Sequence, residues 1–281
     1  MRTPVKIKAR KLAIWATAVA LVLGGTACST SDSPEDSRAG VTTTAATTTA
    51  PGPAPITVVV TNDDGIGASG IDELARQLGE LEAVTVKVVA PATNQSGTGD
   101  TTTDGEVAYE SGETTSGIEG IAVAGTPADS VNVALDELGL QPDLIASGIN
   151  KGQNVGPLAQ ISGTVGAALT GVRRGIPAVA GSAGLTDPDD ALGARYVVEW
   201  VKANRTRIAD GRLAAGRVVN INVPRCTAGS PHELVDVPTA SEIPEGVNPF
   251  EADCATTPAS FEPTDDVDAL AHGFAARSNV P

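Results

Sequence analysis

The chain has 281 residues, 34 of them acidic and 19 basic, for a formal charge of −15 at pH 7. This balance argues against nucleic-acid polymers and anionic membrane surfaces as targets, because like charges repel; it still allows a small anion in a pocket that holds a cation. Two histidines and three cysteines argue against a multi-histidine metal site and against histidine-driven acid–base chemistry.

The amino terminus carries Arg2, Lys6, Lys8, Arg10 and Lys11 without an acid, followed by a mostly apolar run from Leu12 to Ala27 that ends in small residues. A basic segment, an apolar segment and a small-residue processing site make an export signal. The run is shorter than the roughly 20 apolar residues a spanning helix needs. Cys28 follows directly, so residues 1–27 resemble a bacterial lipoprotein signal with Cys28 as the lipidated first residue. Gly25 departs from that pattern, which usually has an aliphatic side chain there. An ordinary secretory signal and an uncleaved anchor are the alternatives, and each also places the rest of the chain outside the cytoplasm. Residues 28–55 are Ser, Thr, Ala, Pro and Gly with scattered charges. A segment without apolar periodicity buries too little surface to offset its ordering entropy, so it reads as a flexible tether.

Residues 56–281 suffice for one α/β domain. Apolar runs alternate with capped amphipathic stretches, which predicts a largely parallel sheet flanked by helices. Ile56–Thr61 is the first strand. A helix follows from Ser69, with Ile71, Leu74, Leu78 and Leu81 at helical spacing and Ser69 and Asp72 as a capping box. Val84–Ala90 is a valine-rich strand stopped by Pro91, and Glu106 to Ala124 reads as shorter strands. Thr126-Pro127-Ala128-Asp129 starts a helix with a cap, an initial proline and an acid; Val131, Leu135 and Leu138 are its apolar face. A strand at Leu144–Ser147 leads into Gly148-Ile149-Asn150. The next helix begins near Ser162-Gly163-Thr164 and ends at Gly175, before Pro177. Ile176–Gly181 is a strand. Asp187-Pro188-Asp189-Asp190 caps a helix that turns Leu192, Tyr196, Val197, Trp200 and Val201 inward, and Val218–Val223 closes the core. Beyond Pro224, hairpins, loops and an oligomer-forming extension are expected. Cys226 and Cys254 either form one disulfide, as an exported domain permits, or stay free thiols.

Four loops follow strands at one edge of this sheet, the edge where open α/β sheets bind ligands. They contain Asp63 and Asp64, then Asn94-Gln95-Ser96-Gly97, then Ser147 to Asn154, then Ser162-Gly163-Thr164. Carboxylate, hydroxyl and amide oxygens suit a hard divalent cation. The third loop's neighbour, Ser162-Gly163-Thr164, opens a helix, where free N–H groups and the helix dipole favour an anion. A cation beside an anion hole is the minimum equipment for metal-assisted phosphoryl chemistry. Taken singly, each motif has a plainer reading. The acid pair is a turn with a helix cap, Ser162 is a cap, and Lys151, Arg173 and Arg174 are solvated. The coincidence of all four at one edge is what points to a site.

Several stretches carry a family resemblance: Val60-Thr61-Asn62-Asp63-Asp64-Gly65-Ile66, Ala90-Pro91 with Asn94-Gln95-Ser96-Gly97-Thr98, Gly125-Thr126-Pro127-Ala128-Asp129, Ser147-Gly148-Ile149-Asn150-Lys151-Gly152 and Ser162-Gly163-Thr164-Val165-Gly166-Ala167-Ala168. Asn220 to Pro224, Thr264-Asp265, Ala269-Leu270 and Gly273-Phe274 add to it. In these the chain resembles the SurE family of stationary-phase survival proteins, which are metal-dependent 5′/3′-nucleotidases. The resemblance implies a Rossmann-like α/β fold and one divalent ion, Mg²⁺ or Mn²⁺, held by Asp63, Asp64, Ser96 and Asn150. It also implies catalytic roles for Asp63 and Asp64, with Asn62 as a polar neighbour. The phosphate would lie on Ser162, Gly163 and Thr164, with Asn154 nearby. Nucleoside monophosphates are the implied substrates, and dimers or tetramers the implied assemblies. Three positions depart from the family pattern. Asp100 stands where a histidine is usual, Ile161 where an aromatic is usual, and Gly156-Pro157-Leu158-Ala159-Gln160 lacks the usual acids. The expectation is an exported, lipid-anchored phosphomonoesterase. Its rivals are a metal- or nucleotide-binding lipoprotein without turnover, which Asp100 favours, and an acidic structural lipoprotein.

Overall fold

A strand at the centre of a parallel sheet is covered on both faces, so it must be apolar along its whole length. Ile56–Thr61 meets that demand and forms β1. The computed structural model describes residues 52–186, 189–258 and 260–281. Residues 1–51, where the export signal, the lipidated Cys28 and most of the tether are expected, lie outside the described residues, as do Asp187 and Pro188.

After β1 come α1 (Ser69–Gly79), β2 (Val84–Pro91), β3 (Tyr109–Glu113) and β4 (Glu119–Val123). Then follow α2 (Pro127–Asn132), continued by a π-helical turn at Val133–Glu137, and β5 (Leu144–Lys151). A 3-10 turn at Gly156–Gln160 precedes α3 (Gly163–Arg173), β6 (Ala178–Ala183), α4 (Asp190–Ala209) and β7 (Val218–Asn222). The remainder forms β8 (Cys226–Ala228), β9 (His232–Asp236), β10 (Ala252–Asp253), α5 (Asp266–Ala271) and β11 (Phe274–Val280). Among the described residues, no helix is long and apolar enough to cross a membrane.

The main sheet has nine strands in the order β3-β4-β2-β1-β5-β6-β7-β11-β9. All neighbours are parallel except β3 with β4 and β7 with β11. From β1 the chain builds outward through β2, then returns to place β5 on the other side of β1. The order therefore reverses between β1 and β5, and such a switch point leaves a crevice at the carboxyl ends of the two strands. Alternation along the strands separates two apolar layers. Val58 and Val60 face Ile71, Leu74, Val197 and Trp200 of α1 and α4. Val59 and Ile145 face Val131, Val165 and Ala168 of α2 and α3. A third cluster joins Val267, Leu270 and Phe274 of the carboxyl-terminal segment to Val155, just after β5.

Three local expectations are corrected by tertiary contacts. Ser69 and Asp72 do not form a capping box, and no side chain caps α1. The Ser69 hydroxyl instead donates to Asp190 at 2.6 Å, and Asp72 accepts from Thr114 and Ser116, which the turn between β3 and β4 brings over it. β2 ends at Pro91 as expected, but Pro91 itself stays in the ladder, opposite Val123, one residue beyond the expected strand; its carbonyl accepts from the Ile66 N–H at 2.8 Å. Beyond Pro224 the strands do not form hairpins. β8 pairs with β10 and β9 with β11, both in parallel. A disulfide between Cys226 and Cys254 and the apolar cluster around Phe274 tie distant segments together where a turn would have tied neighbours.

The crevice depends on one close approach. A Cβ added at Gly70 would lie 1.8 Å from the Ile149 carbonyl oxygen, so the start of α1 rests directly on the end of β5. Backbone cannot yield there as a flexible side chain would. Gly70→Ala is expected to lower stability by about 1–3 kcal/mol or more through overpacking, read from the urea unfolding midpoint.

Candidate active site

Asn62 shapes the turn that presents the acids. Its side-chain amide donates to the Gly65 carbonyl at 2.9 Å and its oxygen accepts from the Gly65 N–H at 3.2 Å. The turn is closed on itself, so Asn62 is a fully buried brace. Gly65, at φ 101°, supplies the left-handed conformation that lets the chain turn back.

Asp63 is 2% exposed and points at the start of α3. The Thr164 hydroxyl donates to its Oδ1 at 2.5 Å. A Cβ at Gly163 would lie 2.7 Å from the Asp63 Cβ and 3.0 Å from its Oδ2. Only glycine lets the carboxylate come this close to the helix N-terminus. Burial pushes the Asp63 pKa from 3.8 up to about 6; Thr164 opposes the rise and neighbouring Asp64 adds to it. Asp64 is also raised, mainly by burial, while the Lys151 N–H, the Lys151 charge and Asn94 pull it back. Its Oδ1 accepts from Asn94 at 3.1 Å and its Oδ2 from the Lys151 N–H at 2.9 Å.

The loop after β2 is fastened to this turn. The Gln95 N–H donates to the Asp63 carbonyl at 2.6 Å, and Asn94 Oδ1 accepts from the Ser96 N–H at 3.0 Å. Ser96 is thereby carried next to the acid pair with its side chain exposed. From β5, Asn150 donates its Nδ2 to the Gly152 carbonyl at 2.5 Å, so its side-chain oxygen is the atom that would face a cation. The segments that carry Asp63, Asp64, Ser96 and Asn150 thus meet at the carboxyl ends of β1, β2 and β5, joined by the bonds of Asn94, Gln95 and the Lys151 N–H to the acidic turn. Among the described residues, no group of three or more His, Cys, Asp or Glu side chains is placed to hold a metal. The donor set is two carboxylates with a hydroxyl and an amide. These are hard oxygen ligands, and a buried acid raised to about 6 without a cationic side-chain partner is a group that a divalent ion would relieve.

The anion-binding residues divide into two kinds. Ser162 caps α3 by accepting from the Val165 N–H at 3.1 Å, and its hydroxyl hydrogen remains for a ligand. Gly163 opens the helix beside Asp63 with no side chain to obstruct an anion. Thr164, by contrast, is fully buried and committed to Asp63. Asn154 is turned into the protein: its N–H donates to Asn222 at 2.7 Å, its Nδ2 to Ser182 at 3.0 Å, and its carbonyl accepts from Asn220 at 2.7 Å. Its contacts are those of an anchor for the loop after β5.

Asp100 is exposed in the loop after β2. It pairs with Arg173 in the last turn of α3 at 2.7 Å, so its extra charge is locally balanced. Sequence reasoning missed Asp266, which is fully buried under the site. Its carboxylate accepts from the Gly156 N–H at 3.2 Å, the Ala240 N–H at 2.8 Å and the Ser278 hydroxyl at 3.0 Å. Burial raises its pKa against those donors. An acid beside the helix-cap acid Asp265 gave no sequence signal for this role.

Fold and site together define an α/β protein with a buried acidic turn set against the N-terminus of a helix at the switch point of its sheet. Residues 58–241 match the family model described as Survival protein SurE, and this chain belongs to that family. It is 36% identical over 233 residues to a protein named 5′-nucleotidase SurE from Desulfovibrio desulfuricans, spanning 77% of this chain and 89% of that one. A protein of the same name from Halobacterium salinarum is 38% identical over 185 residues, 63% of this chain and 69% of its own. The crystal structure of the SurE protein from Aquifex aeolicus superposes with a TM-score of 0.62 at 25% identity, covering 80% of this chain and 92% of that one.

The raised Asp63 pKa carries a stability cost that depends on pH. An acid whose folded pKa exceeds its unfolded value binds more protons when folded. Folding is therefore favoured at low pH, and the protein stripped of divalent ions loses that stability as pH rises from about 4 to about 6. The cost above pH 6 is on the order of 3 kcal/mol. Asp63→Asn in EDTA is expected to raise stability by about 1–3 kcal/mol at pH 7.5 and to change it little at pH 4. Urea unfolding at the two pH values checks this, and equal effects at both would contradict it.

Proposed function

We propose that this chain is an exported, metal-dependent phosphomonoesterase that releases phosphate from nucleoside monophosphates. The observation that carries the reading is the contact between Asp63 and Gly163, which sets an acid directly against the N-terminus of α3. Asp63, Asp64, Ser96 and Asn150 would hold one Mg²⁺ or Mn²⁺. When bound, such an ion polarises phosphate oxygens and offsets the charge that develops on them.

The chain's own residues do the rest. The Ser162 hydroxyl and the first N–H groups of α3 hold the phosphate, assisted by the helix dipole. Thr164 fixes Asp63 through Oδ1, so Oδ2, on the Gly163 side, is the atom positioned to take a proton from attacking water or to attack. Asn62, Asn94 and the Lys151 N–H keep the two carboxylates in place. The relatives' shared name, 5′-nucleotidase, supports the substrate class, and hydrolysis of 3′-monophosphates is part of the proposal. The rival reading, a binding protein without turnover, drew on Asp100, and the Arg173 ion pair weakens that ground. Residues 1–27 support export with Cys28 lipidated, and the disulfide between Cys226 and Cys254 accords with an oxidising compartment. The family resemblance of the carboxyl-terminal segment supports a dimer or tetramer.

The test is phosphate release by the purified chain from nucleoside 5′- and 3′-monophosphates and p-nitrophenyl phosphate, with Mn²⁺, Mg²⁺ or EDTA. Release is expected with metal only, and Asp64→Asn is expected to reduce it by roughly a hundredfold or more. Undiminished release in EDTA or from the variant would refute the assignment. A second expectation concerns the helix start. Gly163→Ala, which must displace Asp63, should lower kcat by at least about tenfold, with circular dichroism showing the fold retained.

A further inference from the structure

Exposed apolar side chains are ordinary when scattered and informative when they gather at a site. Among the described residues, three large hydrophobics are exposed: Ile161 at 60%, Leu185 at 45% and Tyr109 at 41%. Tyr109 lies on β3, three strands from β1, or roughly 14 Å at about 4.8 Å per strand. That is too remote for contact with the atoms bonded to a phosphate at α3. The other two border the acidic turn from different sides. Ile161 immediately precedes Ser162, and Gly163 packs on Asp63. Leu185 reaches within 3.4 Å of where a Cβ at Gly152 would stand, one residue past the Lys151 N–H that holds Asp64.

Both side chains stand on fixed backbone. The Ile161 carbonyl accepts from the Gly99 N–H at 3.2 Å and its N–H donates to Leu158 at 3.3 Å. Thr186, next to Leu185, has its carbonyl held by Arg225 at 2.8 Å. The surroundings are otherwise acids, amides, hydroxyls and Lys151. A pocket that grips a phosphate with polar groups and leaves two aliphatic side chains in water beside it is suited to a ligand with an apolar part attached to the phosphate.

We infer that Ile161 and Leu185 are specificity residues that contact the leaving group, selecting phosphomonoesters with a broad apolar face, nucleosides and aryl groups, over small polyol phosphates. The inference rests on the phosphomonoesterase reading of the same site and adds which side of the substrate selects. Neither residue touches the reacting atoms. Both are exposed, so their replacement by serine leaves the fold intact.

The experiment compares the full chain with the Ile161→Ser, Leu185→Ser double variant. The readouts are kcat and KM for adenosine monophosphate, for p-nitrophenyl phosphate and for glycerol 3-phosphate, and inhibition by inorganic phosphate. In the variant, kcat/KM for the first two should fall roughly tenfold or more, mostly through KM, because lost apolar contact weakens ground and transition states alike. Glycerol 3-phosphate and inorganic phosphate should change less than about twofold. Ile161→Phe should retain or improve the first two. An equal loss for all three esters, or no loss for any, overturns the inference. Calorimetric binding of adenosine monophosphate against inorganic phosphate separates it from the hydrolase reading. Tight binding that the serine variant loses, without phosphate release by either protein, would sink the hydrolase and keep the contact. Release with an unchanged preference would do the reverse.

Discussion

Asp63 sits where a fully covered apolar strand ends, and burial there holds its pKa near 6. A charge in that position is unfavourable unless something opposes it, and the surrounding structure supplies the opposition in parts. Thr164 donates to one oxygen, and α3 brings its N-terminus against the other across a glycine. The residual cost would favour a cation in the proposed site, because a carboxylate already satisfied by an arginine would bind one weakly. Stability and function pull against each other at this one group.

The supporting shell is polar and mostly buried, which is costly unless each group finds a partner. Asn62 closes the acidic turn, and Asn94 and Gln95 lash the next loop to it. Asn154 is gripped by Asn220, Asn222 and Ser182 from β7 and β6, so the strands beyond β5 also set the site. Asp266 extends the same logic to the carboxyl-terminal segment by holding Gly156 from beneath. Residues far apart in sequence thus share one task, the placement of two loops around Asp63 and Asp64.

Two of the three departures from the family pattern acquire different meanings. Asp100 is absorbed by Arg173. Ile161 stays exposed at the mouth, fixed by its backbone. The first change is electrostatically quiet, whereas the second alters the surface that a leaving group meets.

The main strands and helices up to β7 were legible because their signals are local: unbroken valine runs, caps, prolines and glycines at element ends. The acid pair and Ser96 were legible as residues of loops after strands, since a parallel sheet sends all such loops to one edge; Asn150, expected in such a loop, lies within the last residues of β5, and Ser162 follows a 3-10 turn. Other features had no local signal. The sequence pairs Ser69 with Asp72, yet Ser69 bonds Asp190; the side chains of Thr164 and Asn154, which the family resemblance sets at or near the phosphate, bond Asp63 and Ser182 from distant segments. The pairing of β9 with β11, the disulfide and the role of Asp266 likewise depend on contacts across long separations. The amino-acid sequence by itself determined the layered α/β architecture and the edge that carries the chemistry, because hydrophobic period and helix capping act over a few residues. Which polar groups face a ligand and which brace the scaffold was decided only by the tertiary structure, because hydrogen bonds and burial depend on neighbours that the chain order does not reveal.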